Sequence, residues 1–174
     1  MGAEQYSNLK KELKVMLGHK VAFLDIDGVL NSVAYDRRRT AQEGNIDVSR
    51  LPLLKRLVEE GEARIVLSSS WRRHWERERD GCDSIGMEIT DIFAAHGLSI
   101  YDKTPVLPSR DRAEEIRAWL AENGQVEAFV IFDDIAFGWG EDLQEHLIKT
   151  NPRIGFGLEE KHIQAALELL NGKK

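Results

Sequence analysis

Two pairs of carboxylates stand at the ends of apolar runs: Asp25 and Asp27 close KVAFLDID, and Asp133 and Asp134 close EAFVIFDD. An ionised carboxylate at the end of a buried strand loses hydration worth several kcal/mol unless something compensates. A divalent cation is the usual compensation, and an all-oxygen ligand set selects a hard ion such as Mg²⁺. Because Mg²⁺ keeps water and bridges to substrate phosphates, the pattern implies phosphate chemistry. The histidines His19, His74, His96, His146 and His162 are scattered and lack zinc spacing.

Asp25 is a candidate covalent nucleophile. A carboxylate attacks weakly in water, but held against an electrophilic phosphorus by a cation it can form an acyl phosphate. Asp27, two positions on, is placed to protonate the leaving oxygen and then activate water. Gly28 permits a sharp turn and a close approach of backbone N–H groups to phosphate oxygens. Alone, the same residues also read as a strand end opening a turn. Ser68, Ser69 and Ser70 close another apolar run, ARIVLSSS. One hydroxyl there can orient a non-bridging phosphate oxygen, and three serines equally make an ordinary helix cap.

A transferring phosphoryl group also needs fixed positive charge, which Arg112 or Lys103 can supply. Arg72, Arg73 and the run Arg37 to Arg39 are more remote candidates for substrate contact, and the run reads as a solvated loop. Trp71 and Trp75 would share a face of a helix and are read as packing residues.

These residues need elements to position them. The three apolar runs are nearly continuous, which suits strands covered on both faces and therefore a parallel sheet. Helical patterns follow at Val48 to Glu60, with Asp47 or Ser49 as cap, at Arg112 to Asn123, and at Glu159 to Leu170; Gly61, Gly124 and Gly172 follow them. The alternation predicts a three-layer α/β fold, Rossmann-like, with an open parallel sheet and helices on both faces. Ligands in such folds sit beyond the carboxyl ends of the strands, so Asp25, Asp27, the serines and Asp133 with Asp134 are expected to converge. The polar stretches NSVAYDRRRTAQEGN and WERERDGCDSIG read as loops or small insertions.

A chain of 174 residues with 42% hydrophobic content has room for one domain and one core, assigned to 20–174. Residues 1–19 read as an N-terminal surface helix, with Leu9, Leu13, Met16 and Leu17 at helical spacing and no signal-peptide run. A net charge of -6 gives no bulk attraction to nucleic acid or anionic membrane. Cys82 is the single cysteine, so no internal disulfide forms, and a cytoplasmic location with no membrane partner is expected.

In order, VAFLDIDGVLN, IVLSSSWR and VIFDDI resemble the haloacid dehalogenase-like (HAD) superfamily of phosphohydrolases, and together with RAEEIRAWL and GFGLEE they resemble its small domains in bacterial and phage proteins, some fused to RNA-repair modules. The resemblance spans about Lys20 to Leu170 and implies a phosphatase with Mg²⁺ as cofactor. Asp25 would be the nucleophile and a metal ligand. Asp27 would be the acid/base and would bind metal through its main-chain carbonyl. Asp133 and Asp134 would be the acidic metal motif. Ser69, two before Trp71, is the implied phosphate-binding hydroxyl, with Ser68 second; the basic residue is Lys103 or Arg112. Only one short polar stretch and a helix separate the first two motifs, so the resemblance implies a minimal cap or none. An open site of that kind implies a bulky phosphorylated substrate, such as a nucleotide or polynucleotide end. A small-metabolite phosphatase and a non-catalytic binding or regulatory module are the alternatives.

Overall fold

The computed structural model describes residues 18–40, 42–135 and 138–172. The expected N-terminal helix over 1–19 falls almost wholly outside the described residues. Strands β1 (His19–Leu24), β2 (Ala63–Leu67), β3 (Ile100–Lys103), β4 (Val126–Asp133) and β5 (Leu147–Lys149) form one sheet in the order β3-β2-β1-β4-β5. Every neighbouring pair is parallel. The helices are α1 (Val33–Arg38), α2 (Leu51–Gly61), α3 (Ser84–Ala95), α4 (Arg112–Glu122), α5 (Glu141–Gln144) and α6 (Glu160–Leu170).

Side chains alternate across β1, and the two cores follow that alternation. Ala22 and Leu24 join Leu54 and Leu57 of α2, Phe93 of α3 and Ile163 and Ala166 of α6 on one face. Val21 and Phe23 join Ile116 and Trp119 of α4 and Leu143 of α5 on the other. The three-layer parallel α/β architecture therefore follows from the apolar runs. A fully buried Leu, Ile or Phe contributes about 1.5–3 kcal/mol, so both faces are needed to hold the sheet.

Sequence patterning missed the two outer strands. β3 reads IYDK and β5 reads LIK, and both are too short and polar for an apolar-run criterion. Lys103, expected in a loop, ends β3. Helix α1 lies inside the first supposed loop and is capped by Ser32, whose side chain accepts from Tyr35 N. The second supposed loop runs into α3, capped by Asp83 on the N–H groups of Ile85 and Gly86. The expected cap at Asp47 is present, but it opens a 3-10 turn, Val48–Arg50, that leads into α2. Among the described residues, no inserted domain stands between β1 and β2 or between β2 and β3, so the cap is minimal.

Gly86 packs α3 onto the turn after β2 so closely that a Cβ there would lie 1.9 Å from the His74 carbonyl oxygen. Gly86→Ala should cost about 1–3 kcal/mol of stability through this backbone clash. Chemical denaturation would show it as a lowered midpoint, and an unmoved midpoint would mean that α3 is free to shift.

Candidate functional site

The site lies where the strand order reverses. β1 leads through α2 to β2 on one side, whereas β4 returns on the other, so the crevice opens between the carboxyl ends of β1 and β4. Register sets the level of each residue. Leu24 pairs with Leu67 and with Phe132, which brings Asp25, Ser68 and Asp133 off the sheet together. Two bonds extend the ladder by one step, Asp25 N to Phe132 O at 3.1 Å and Ser68 N to Leu24 O at 2.9 Å.

One guanidinium sits between two carboxylates. Arg112 Nη1, from the start of α4, donates to Asp25 Oδ2 and to Asp133 Oδ2, each at 2.5 Å. The remaining oxygens take backbone donors: Ile26 N to Asp25 Oδ1 at 2.8 Å and Ile135 N to Asp133 Oδ1 at 2.9 Å. Asp25, Asp133 and Asp134 each present an oxygen within 4.8 Å of the others. This all-oxygen set, gathered on two adjacent strands, fits a hard divalent cation. The carboxylate of Asp27 stands outside the group.

The electrostatics follow from that crowding. Burial pushes the Asp25 carboxyl up to about 6; Asp133's charge adds to the rise, while Arg112 and a hydrogen bond from the Ser69 hydroxyl hold it down. Burial also raises Asp134, helped by the charge of Asp133. Burial lowers Arg112, but the charges of Asp25 and Asp133 outweigh it and raise the guanidinium above its ordinary value.

Asp27 has a different environment. Exposed on the turn after Ile26, its Oδ2 accepts the indole N–H of Trp71 at 2.7 Å and its Oδ1 the amide of Asn31 at 3.2 Å. Gly28 makes the turn with φ +86, and a Cβ there would lie 2.4 Å from Asp134 Cγ. A side chain at that position is therefore excluded twice, by conformation and by the carboxylate behind it.

The expected residues divide accordingly. Asp25, Asp133, Asp134, Arg112 and Ser69 come together, with Asp27 at the rim. Ser69 is fully buried, its Oγ accepting Trp71 N at 3.4 Å and its hydroxyl lowering the Asp25 pKa, whereas the equally buried Ser68 Oγ has no hydrogen-bond partner among the described residues. Lys103 points elsewhere. Its Nζ donates to the carbonyls of Arg72 (3.2 Å) and Trp75 (2.7 Å) and to Glu76 Oε1 (2.6 Å), tying down the turn after β2. Arg72 is buried against Glu115 of α4 at 2.5 Å and also donates to the Ser69 carbonyl at 2.8 Å, so it supports the site from behind and does not face a substrate. Trp71 and Trp75 do not share an α-helical face, because a 3-10 turn, Ser70–Arg73, carries Trp71. Sequence reading missed Trp71 and Asn31 as partners of Asp27. The position of Trp71 two after Ser69 was a usable signal; Asn31, inside a polar stretch, offered none.

The family model described as "HAD domain in Swiss Army Knife RNA repair proteins" matches residues 21–162, a span that takes in every residue of this site. No curated protein and no solved structure matches the chain.

Asp25 provides a direct test of the electrostatics. Its pKa rises from 3.8 unfolded to about 6 folded, so the folded state binds the proton more tightly. The stability that this confers is complete below about pH 4 and is lost as pH climbs through 6. In chelator at pH 7.5, Asp25→Asn should be more stable than wild type by on the order of 2 kcal/mol, and the two should converge near pH 4. A stability difference that ignores pH would show that the carboxylate carries no burial penalty.

Proposed function

The chain belongs to the family of HAD domains in Swiss Army Knife RNA repair proteins, and from that premise we propose that it is a Mg²⁺-dependent phosphatase hydrolysing a phosphomonoester at a nucleotide or nucleic-acid end. The observation that carries the reading is the convergence of Asp25 and Asp133 on the one guanidinium of Arg112. A phosphate drawn into that crevice exchanges two carboxylate contacts for its own oxygens and meets a nucleophile already stripped of water.

In the proposed reaction an Asp25 oxygen attacks phosphorus, the bond from phosphorus to the ester oxygen breaks, and Asp27 gives that oxygen its proton. The products of this half are an alcohol and phosphorylated Asp25. Asp27, now ionised, takes a proton from water. The resulting hydroxide attacks phosphorus, the bond to Asp25 breaks, and inorganic phosphate leaves. Exposure of Asp27 suits this exchange with solvent, and the N–H donors of Trp71 and Asn31 fix its orientation. Ser69 and Arg112 hold the non-bridging oxygens, and the guanidinium balances charge that accumulates in transfer. Asp25, Asp133 and Asp134, with the main-chain carbonyl of Asp27, would hold Mg²⁺, which supplies charge neutralisation between nucleophile and phosphate when bound.

The minimal cap favours a large substrate over a small metabolite, because nothing in the described chain closes over the crevice. Phosphorylated oligonucleotides tested beside soluble sugar and nucleotide phosphates should give the higher kcat/KM for the oligonucleotide. Asp25→Asn should abolish turnover with the fold intact. Wild-type turnover in that variant would end the covalent mechanism, and a protein inert toward every phosphate ester would instead be a binding module. Asp133→Asn should lower activity at limiting Mg²⁺ and recover part of it at high Mg²⁺; a defect of equal size at all concentrations would remove Asp133 from the ligand set.

A further inference from the structure

Beside Asp27 lies a hollow of about 320 Å³ lined by Asn45, Ser70, Trp71, Arg73, His74 and Ile85, within the range of ~300–1,000 Å³ usual for ligand sites. Two of its walls are tied to the acid itself. Trp71 bonds Asp27 directly, and the Asn31 amide that reaches Asp27 also donates to the Asn45 carbonyl at 2.8 Å. The hollow is therefore joined to Asp27 through Trp71 and, by way of Asn31, through Asn45.

Its lining sets an indole and an aliphatic side chain, Trp71 and Ile85, beside the polar Asn45, Ser70 and His74, with a cation, Arg73. Arg73 is exposed and has no ion pair or side-chain hydrogen bond among the described residues. Asn45 is bonded through Nδ2 to Glu88 at 2.8 Å and through Oδ1 to Arg39 at 3.0 Å. A second hollow of about 270 Å³, lined by Arg39, Thr40, Gly44 and Asn45, shares that residue. A seat with one aromatic face leads to two arginines, Arg73 free of ion pairs among the described residues and Arg39 shared with Asp36 at 3.9 Å, while Glu88 and Asp83 back Asn45 and His74; on a protein of net charge -6 Arg73 is the cation an anion would meet.

We propose that this double hollow seats the leaving strand of a polynucleotide: the base next to the scissile phosphate packs on Trp71 and Ile85, and the phosphates that follow run past Arg73 and Arg39. This rests on the phosphatase reading of the adjoining site. A planar ring with a row of further phosphates matches the lining; a phosphopeptide has neither as a fixed feature.

The test compares wild type and Arg73→Ala on single-stranded oligoribonucleotides phosphorylated at the 3′ or the 5′ end, a phosphoserine peptide and p-nitrophenyl phosphate. Arg73→Ala should raise KM about tenfold for the preferred oligonucleotide, well beyond its effect on the aryl phosphate. It should also flatten the dependence of log kcat/KM on log salt by about 0.7, the value of one phosphate contact to a single strand. Equal losses on both substrates, an unchanged salt slope, or preference for the peptide would overturn the assignment. Binding of the oligonucleotide to Asp25→Asn, read by tryptophan fluorescence and compared with the same protein carrying Trp71→Phe, separates the two readings. Quenching that needs Trp71, in a protein whose wild type hydrolyses nothing, keeps the pocket and sinks the phosphatase. Hydrolysis without such quenching does the reverse.

Discussion

Everything at this site is conditioned by like charges brought to one place. Asp25, Asp133 and Asp134 offer oxygens within 4.8 Å of one another, a separation at which two unit charges repel by about 3 kcal/mol at an effective dielectric near 20. The parallel register leaves no escape, because Leu24 and Phe132 are paired and the next residue of each strand is the carboxylate. One arginine relieves two of the three. The third, Asp134, makes no ion pair among the described residues, and burial with the charge of Asp133 raises its pKa against the opposing charge of Arg112. A set of this kind is held together by the fold against its own electrostatics, and a bound cation would reverse the sign of that balance.

Arg112 can mediate only if α4 is fixed relative to the strand ends, and a buried ion pair fixes it. Glu115 is on the same helix, three residues beyond Arg112, and both of its oxygens are occupied, Oε2 by Arg72 and Oε1 by Leu107 N at 3.1 Å. Arg72 in turn holds the carbonyl of Ser69 at 2.8 Å. The helix that delivers the cation and the turn that delivers the hydroxyl are thus one unit. Burial lowers the Arg72 pKa and Glu115 opposes that shift, so the pair offsets much of its own desolvation, with Arg72 Nε left without a partner among the described residues.

How much of this the sequence disclosed depends on the length scale of each feature. β1, β2 and β4 are buried on both faces and announce themselves as apolar runs; β3 and β5 sit at the sheet edges, where short polar strands suffice. The carboxylates and serines were legible because strand ends in a parallel sheet share one edge. The choice between Lys103 and Arg112 was not, since both lie near the sheet's carboxyl edge in sequence terms and only the packing of α4 and the turn after β2 separates them. Trp71 and Trp75 pack on the core as their spacing predicts, but the serines are followed by a 3-10 turn, not an α-helix. A 3-10 turn advances the chain differently and aims the Trp71 indole N–H at Asp27.

Two carboxylates separated by one residue are thereby given opposite surroundings. Asp25 is 5% exposed and boxed by Arg112, Ser69 and the Ile26 N–H, whereas Asp27 is open to solvent and held by two neutral N–H donors. The chain bends at Ile26, just past the end of β1, and Gly28, with its positive φ and no Cβ, continues the turn and makes room for Asp134. Had the strand continued straight, alternation would have placed Asp25 and Asp27 on the same face, competing for one cation and one arginine. With the turn, one aspartate keeps a dry, charge-balanced environment suited to attack, and its neighbour keeps the access to water that proton exchange requires. On the proposed chemistry, that division of labour is a property of the backbone turn that begins at Ile26 before it is a property of either acid.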